Sequence, residues 1–344
     1  YPAAAFSIHI QLTMVPIKRT LETMHTSLRA SAALLAAGGL LLTATACSSD
    51  TEDSAAEPGA QKKISIVAST SIWADVAQAV ADTASGVDIE VKPIVEGNGV
   101  DPHHFEPSAA DIAKAEDADL LVVNGGGYDS WIYQAVSEQD NIISALPLTD
   151  HGKLADDPNV MTIDAAKATA KKDPKKVTNI EGNEHIWYDP AALEEVAGSI
   201  ADQINEKYSD AGATTEKIDS HVDQLRDKLK ELPDGLNYAQ TEPIADYLMK
   251  YTDGKDVTPE GYRKATISEG EPATADVAAF IKAIDDGEVD LLIFNPQTET
   301  DTAGRIKSAA EDADVSIVEI GETPPDGKEF WTYYDEVTDS LGKL

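Results

Sequence analysis

The chain has 344 residues, 42% of them hydrophobic and 26% charged, which is enough for two domains of ordinary size with a core each. Its 62 acidic side chains outnumber 27 basic ones and leave a formal charge of -35, which argues against the basic face that nucleic acid requires. Most of that charge is expected to form a solvated acidic surface. Any diffuse pull on cations is secondary, because salt screens it within about 8–10 Å.

In chain order, residues 1–46 read as an upstream segment and a targeting signal, with the start at Met24. Met24 to Arg29 is a short basic start, and Ala30 to Leu42 is an apolar run too short for a membrane span of about 20 residues. Small residues then lead to Cys47, and the segment resembles a lipoprotein signal with Cys47 as the lipid-bearing first residue of the mature protein. Ala44 stands where such signals usually carry leucine. Cys47 is the only cysteine, so an intrachain disulfide is excluded. Residues 47–62, polar and poor in bulky apolar side chains, are expected to be a flexible tether.

The folded part divides into an N-terminal lobe at 63–190, a connecting helical region at 191–232 and a C-terminal lobe at 233–344. KISIVAST (63–70) is a buried strand, SIWADVAQAVADTAS a helix with Ile72, Val76 and Val80 on one stripe, and IEVKPIV (89–95) a second strand. Ser108 and Asp111 form a capping box ahead of a short helix, and DLLVVN (119–124) is a strand buried on both faces. This alternation predicts an α/β fold with a largely parallel sheet. EPSAADIAKAEDADLLVVN (106–124) is similar to EPATADVAAFIKAIDDGEVDLLIFN (271–295), so two related lobes in tandem are expected. Residues 189–208 and 214–232 have helical periodicity, and one of them should join the lobes. YAQTE, LLIFN and VSIVEI are strands of the second lobe, alternating with helices after Pro243, Thr274 and Thr300, and a final helix runs from about Lys328. The polar, lysine-rich stretch 162–184 lacks an apolar period and reads as a surface excursion.

After the signal come five histidines: His103, His104, His151, His185 and His221. His221 lies on an amphipathic helix and His151 in a turn, and both are expected at the surface. His103 and His104 lie in GNGVDPHHFEPSAAD (97–111), framed by prolines and carboxylates, and His185 lies in GNEHIWYDP (182–190). Imidazole on a rigid loop suits a transition metal. Asp101 and Asp189 could fix ring tautomers or simply cap helices. Taken singly, each histidine reads as structural before it reads as a ligand.

DPHHFEP followed by HIWYDP resembles the paired motifs of the metal-binding lipoproteins of ABC importers for zinc and manganese, and GETPP (321–325) and EGEP (269–272) are similar too. The resemblance spans nearly the whole mature chain. It implies two α/β lobes, each a mostly parallel sheet flanked by helices, joined by one long rigid helix, with the metal in the cleft between them. It places ligands on His103, His185, Glu242 and Glu322, with Glu269 as the rival for the last place. His104 falls on the variable position after the first ligand. Glu242 could instead pair with a helix dipole, and Glu322 could be a solvated turn. The region that is histidine-rich in many zinc importers is lysine-rich in this chain. Two imidazoles and two carboxylates lean towards Mn²⁺ by ligand hardness, while the usual divalent order favours Zn²⁺.

The function implied is capture of Mn²⁺ or Zn²⁺ outside the cytoplasm and delivery to an ABC permease and its ATPase. The protein would act as a monomer, held on the outer face of the membrane by the lipid at Cys47. A secreted zinc-dependent hydrolase is the first alternative, but no HExxH pair or Ser/His/Asp set stands out. A metal-binding surface adhesin is the second.

Overall fold

The computed structural model describes residues 62–138, 140–150, 152–154, 162–163 and 179–344. The targeting signal, Cys47, the tether up to residue 61, His151 and most of the lysine-rich stretch lie outside the described residues.

Strand β1 (Lys63–Thr70) runs directly into helix α1 (Ser71–Ala81), whose stripe of Ile72, Val76 and Val80 is buried. Strand β2 (Asp88–Val95) lies parallel to β1, with Lys63 opposite Asp88 and Thr70 opposite Val95. Helix α2 (Ala109–Glu116) opens with the expected capping box: the Ser108 hydroxyl accepts from the Asp111 N–H while the Asp111 carboxylate accepts from the Ser108 N–H. Strand β3 (Leu120–Val123) is buried along its whole length, as its unbroken apolar run predicts. Helix α3 (Ser130–Tyr133) and strand β4 (Ile142–Ser144) complete the first sheet region, whose strands are parallel in the order β2-β1-β3-β4. A two-stranded pair follows, β5 (Thr162–Ile163) with β6 (Asn179–Ile180).

Helices α4 (Pro190–Lys207) and α5 (Glu216–Lys230) then lead to the second sheet. That region contains β7 (Asn237–Gln240), α6 (Asp246–Met249), β8 (Lys255–Asp256), α7 (Glu260–Thr266) and α8 (Thr274–Asp285). Strand β9 (Leu291–Phe294), α9 (Asp301–Asp312), β10 (Ser316–Glu319) and α10 (Phe330–Leu341) end it. The strand order is β10-β9-β7-β8, again all parallel.

Taken from the other edge, that order matches the first sheet strand for strand, so the tandem repeat seen in the sequence is a repeat of topology. It extends to single hydrogen bonds. Asp119 receives the Ser65 N–H on its carboxylate at 2.8 Å and gives its own N–H to Ser65 O at 2.9 Å. Asp290 does the same with Asn237, at 2.9 and 2.8 Å. Asn124 and Asn295 follow β3 and β9 at equivalent places.

Of the two periodic stretches between the sheets, the second makes the join: α5 leads directly into β7. Tyr208 is extended (φ -138°) and Gly212 is left-handed (φ +64°), which stops α4 and turns the chain into α5. Asn205 clasps the turn, its amide donating to Ala213 O and accepting the Ala213 N–H, each at 2.9 Å. Helix α4 packs on α1 and α5, while α10 returns from the second sheet onto α1 and α5. At the head of α10 the Phe330 N–H donates to Asp75 Oδ2 at 2.6 Å. One continuous apolar core therefore includes Ala68 and Val122 of the first sheet, Ile200 of α4, and Leu291 and Ile293 of the second.

Candidate metal centre

Each candidate donor sits just beyond the carboxyl end of a strand or just ahead of a helix, where α/β sheets leave their ligand-binding loops. In the first loop Asp101 caps a 3₁₀ turn, Pro102–His104, by accepting the His103 N–H at 2.9 Å. Trp131 Nε1 holds the turn from outside through Pro102 O at 2.9 Å. The turn sends the two neighbouring rings in opposite directions. The His103 side chain is 4% exposed, edge-on to Tyr128 with ring centres 4.5 Å apart, while that of His104 is 76% exposed and leans on Asp101 Oδ2 at 2.8 Å.

His185 is placed by the same device. Asn183 Oδ1 accepts the His185 N–H at 2.9 Å and faces ring Nδ1 at 2.7 Å, so Nδ1 carries the proton and Nε2 points into the cleft. Asn183 Nδ2 in turn donates to Pro243 O at 2.6 Å and Asp246 Oδ2 at 2.8 Å, tying this loop to the second lobe. Asp101 and Asp189 thus act as caps, and neither orients a buried histidine ring. Asp189 also anchors Lys250 Nζ at 2.5 Å and the Tyr251 hydroxyl at 2.8 Å.

Glu242 precedes the 3₁₀ turn Pro243–Ala245 but makes no side-chain cap hydrogen bond there. Its Oε1 stands 3.2 Å from His185 Nε2, and its Oε2 accepts from Asn295 Nδ2 at 2.6 Å and from the Thr298 hydroxyl. Glu322 is fully buried, not a solvated turn; its Oε2 lies 3.4 Å from His103 Nε2 and 3.3 Å from the Tyr128 hydroxyl. The structure thus brings together His103 and His185 from one lobe with Glu242 and Glu322 from the other, one donor atom of each lying within 4.8 Å of all the rest. Around a four-coordinate cation with bonds of about 2.0–2.1 Å, donors stand about 3.3–3.4 Å apart. The two histidine–glutamate separations, 3.2 and 3.4 Å, already match that edge.

Glu269 lies elsewhere on the His103 ring. Its Oε1 is 2.5 Å from His103 Nδ1, with Glu184 Oε2 3.8 Å from the same nitrogen, while Nε2 faces Glu322 Oε2 at 3.4 Å. That is the position of a carboxylate that orients a ligand ring. Glu269 reaches it from a left-handed backbone conformation (φ 52°). A cavity of about 320 Å³ opens over His103 and Glu242, its rim carrying Asp101, Glu269, Glu271 and Glu299. His221, expected at the surface, packs partly against Trp331, ring centres 5.2 Å apart.

Burial alone would lower the His103 pKa, but the charges of Glu322, Glu269 and Glu184 outweigh it and hold the ring well above its ordinary value. His185 is raised likewise, burial being overcome by the hydrogen bond and charge of Glu242. Burial works against the ionised form of Glu242 too, yet the hydrogen bond to His185 prevails and holds it at about 2. Glu322 is pushed up to about 7 by burial and by Glu242, against the pull of His103. Burial and nearby carboxylates keep Tyr128 a phenol, so its hydroxyl donates to Glu322. The cluster therefore holds protons that a cation would displace.

Two parallel sheets of one topology, meeting across a buried polar cleft, are the architecture of a two-lobed solute-binding protein. The family model described as zinc-uptake complex component A, periplasmic, matches residues 66–344. The chain belongs to this family. It is 24% identical over 294 residues to a metal ABC transporter substrate-binding lipoprotein of Streptococcus sanguinis, covering 82% of this chain and 88% of that one. It is 23% identical over 308 residues to a manganese ABC transporter substrate-binding lipoprotein of Streptococcus pneumoniae, covering 87% and 92%. The fold is shared with the laminin-binding protein of Streptococcus agalactiae, described as having adhesin and metal-transporting activity, at a TM-score of 0.56 and 20% identity over 82% of this chain and 98% of that one.

Proposed function

We propose that the chain is the receptor of an ABC importer, capturing Mn²⁺ or Zn²⁺ through His103, His185, Glu242 and Glu322 and handing it to a permease and its ATPase. The observation that carries this is the convergence of two imidazoles from one lobe and two carboxylates from the other on one cation-sized space. Neutral imidazoles and ionised carboxylates supply two negative charges for a divalent ion. Asn183 and Glu269 hold the rings with their Nε2 atoms inward. The donors come from loops of both lobes, so the bound cation would brace the lobes together. Enclosure of all four suits carriage of an ion, whereas a hydrolase needs a position open to water and substrate. Lipid attachment at Cys47, a place on the outer face of the membrane and a monomeric state complete the reading; the adhesin activity of the streptococcal relative forms no part of it.

The test is isothermal titration of metal-stripped protein with each cation. Wild type should take up one equivalent, and the double variant His103→Ala, His185→Ala should lose at least about 100-fold in affinity. Unchanged stoichiometry and affinity in the variant would reject the proposal.

A further inference from the structure

One side chain touches both acidic donors. Asn295 is 1% exposed, and its Oδ1 accepts the Gln297 N–H at 2.9 Å, which fixes the end of the amide that faces the cleft. Its Nδ2 therefore donates to Glu242 Oε2 at 2.6 Å and to Glu322 Oε1 at 3.4 Å. The Thr298 hydroxyl adds a second donor to Glu242 Oε2. The opposite oxygens, Glu242 Oε1 and Glu322 Oε2, are the ones that face the Nε2 atoms of His185 and His103. Glu242 thus presents one oxygen to the cleft and has the other engaged twice, whereas Glu322 Oε2 also accepts from the Tyr128 hydroxyl at 3.3 Å.

We infer that Asn295 is a specificity-determining residue: with Thr298 it occupies Glu242 Oε2, limits that carboxylate to a single bond with the cation and favours Zn²⁺ over Mn²⁺. The inference rests on the reading of the cleft as a divalent-metal site. A carboxylate free to chelate with both oxygens raises the coordination number, which suits oxygen-seeking, octahedral Mn²⁺. Zn²⁺ has no geometric preference of its own and is satisfied by four donors. Chelation by Glu242 would require giving up its hydrogen bond to Asn295, leaving a buried amide N–H without an acceptor. The repeat sharpens the assignment. Asn124, at the equivalent place in the first lobe, donates Nδ2 to the backbone carbonyl of Glu184 at 2.9 Å and holds the His185 loop instead. The equivalent asparagine thus supports a backbone in one lobe and donates to carboxylates in the other.

The experiment uses the full chain, stripped with a chelator and dialysed, in wild-type, Asn295→Ala and Thr298→Val forms. Dissociation constants for Zn²⁺ and for Mn²⁺ are measured by competition with a chromogenic chelator, and zinc K-edge absorption counts the donors around bound zinc. The ratio Kd(Mn)/Kd(Zn) should fall about tenfold in Asn295→Ala, and by a smaller factor in the same direction in Thr298→Val. Wild-type zinc should show four nitrogen and oxygen neighbours. If both variants bind both cations with an unchanged ratio, the asparagine merely supports the fold and the inference is overturned, while the metal-site reading stands. If wild type binds neither cation, that reading falls and takes the inference with it. Should Asn295→Ala fail to fold, Thr298→Val decides, since it removes the other hydrogen bond to the same Glu242 oxygen.

Discussion

Replacing Asn183 by alanine should weaken metal capture while leaving all four proposed donors in place. The side chain is 1% exposed and fully engaged in hydrogen bonds. Two are accepted from His185, by Oδ1 from the backbone N–H at 2.9 Å and from ring Nδ1 at 2.7 Å. Two are given across the cleft, to Pro243 O at 2.6 Å and Asp246 Oδ2 at 2.8 Å. Without the first pair the His185 ring loses its tautomer and its aim, and loss of such an orienting partner costs about 10- to 100-fold in metal affinity, or about 1.4–2.7 kcal/mol. Without the second pair two buried acceptors lose a donor. Arg263 still holds Asp246 through Nη1 at 3.0 Å and Nη2 at 2.6 Å, so the added loss of stability should lie near the low end of about 1–3 kcal/mol. Titration calorimetry and thermal melting of the same metal-stripped sample separate the two effects. A lowered melting point with metal affinity within about twofold of wild type would refute the orienting role.

Between about pH 5 and 8 the buried histidines and Glu322 give the pH dependence of the metal-free protein's stability a definite sign. His103 and His185 have raised pKa values, so the stability they contribute is full below about 6.5 and is lost as pH rises through the folded values. Glu322, raised to about 7, binds a proton in the folded state that the unfolded chain releases near 4.5, so it acts in the same direction. Metal binding needs those protons gone, so the rise in melting temperature on adding Zn²⁺ should grow between about pH 5 and 8, as scanning calorimetry would record; a constant or shrinking rise contradicts this coupling. His104→Ala should leave metal affinity within about twofold of wild type, because the ring is 76% exposed and turned outward onto the Asp101 carboxylate; a larger loss by titration would place that ring in the site.

Much of the fold is legible because its elements carry strong local signals. The β-branched run at 63–70, the Ser108–Asp111 box and the paired Asp-Leu-Leu segments each act within a few residues, and each stands in the structure as the sequence implies. The two-residue strand Lys255–Asp256 and the three-residue strand Ile142–Ser144 are not legible, since neither is long enough to display alternation.

The site is legible in part. Asp101 and Asn183 each stand two residues before a buried histidine and accept its backbone N–H at 2.9 Å, a shared spacing that the sequence displays and that could have singled out Asn183. Asn295 and Tyr128 carry no such signal. They meet the glutamates only because β9 and the first-lobe loop end at the same cleft, a long-range fact that no local pattern encodes. Glu269 is visible in the sequence as a rival ligand, but which edge of the His103 ring it faces depends on the packing of the two lobes.

The unbroken core has a consequence for release. Apolar side chains of both sheets, α4 and α10 form one mass, and α10 is fastened to α1 through Asp75. Swinging the halves apart like a hinged shell would expose that interior to water at about 25 cal/mol for every Å² uncovered. Unloading would therefore fall to small displacements at the rim, where the turn bearing His103 and the left-handed bend at Glu269 meet. A receptor built this way would give up its cargo by loosening a fingertip grip, with the palm held shut.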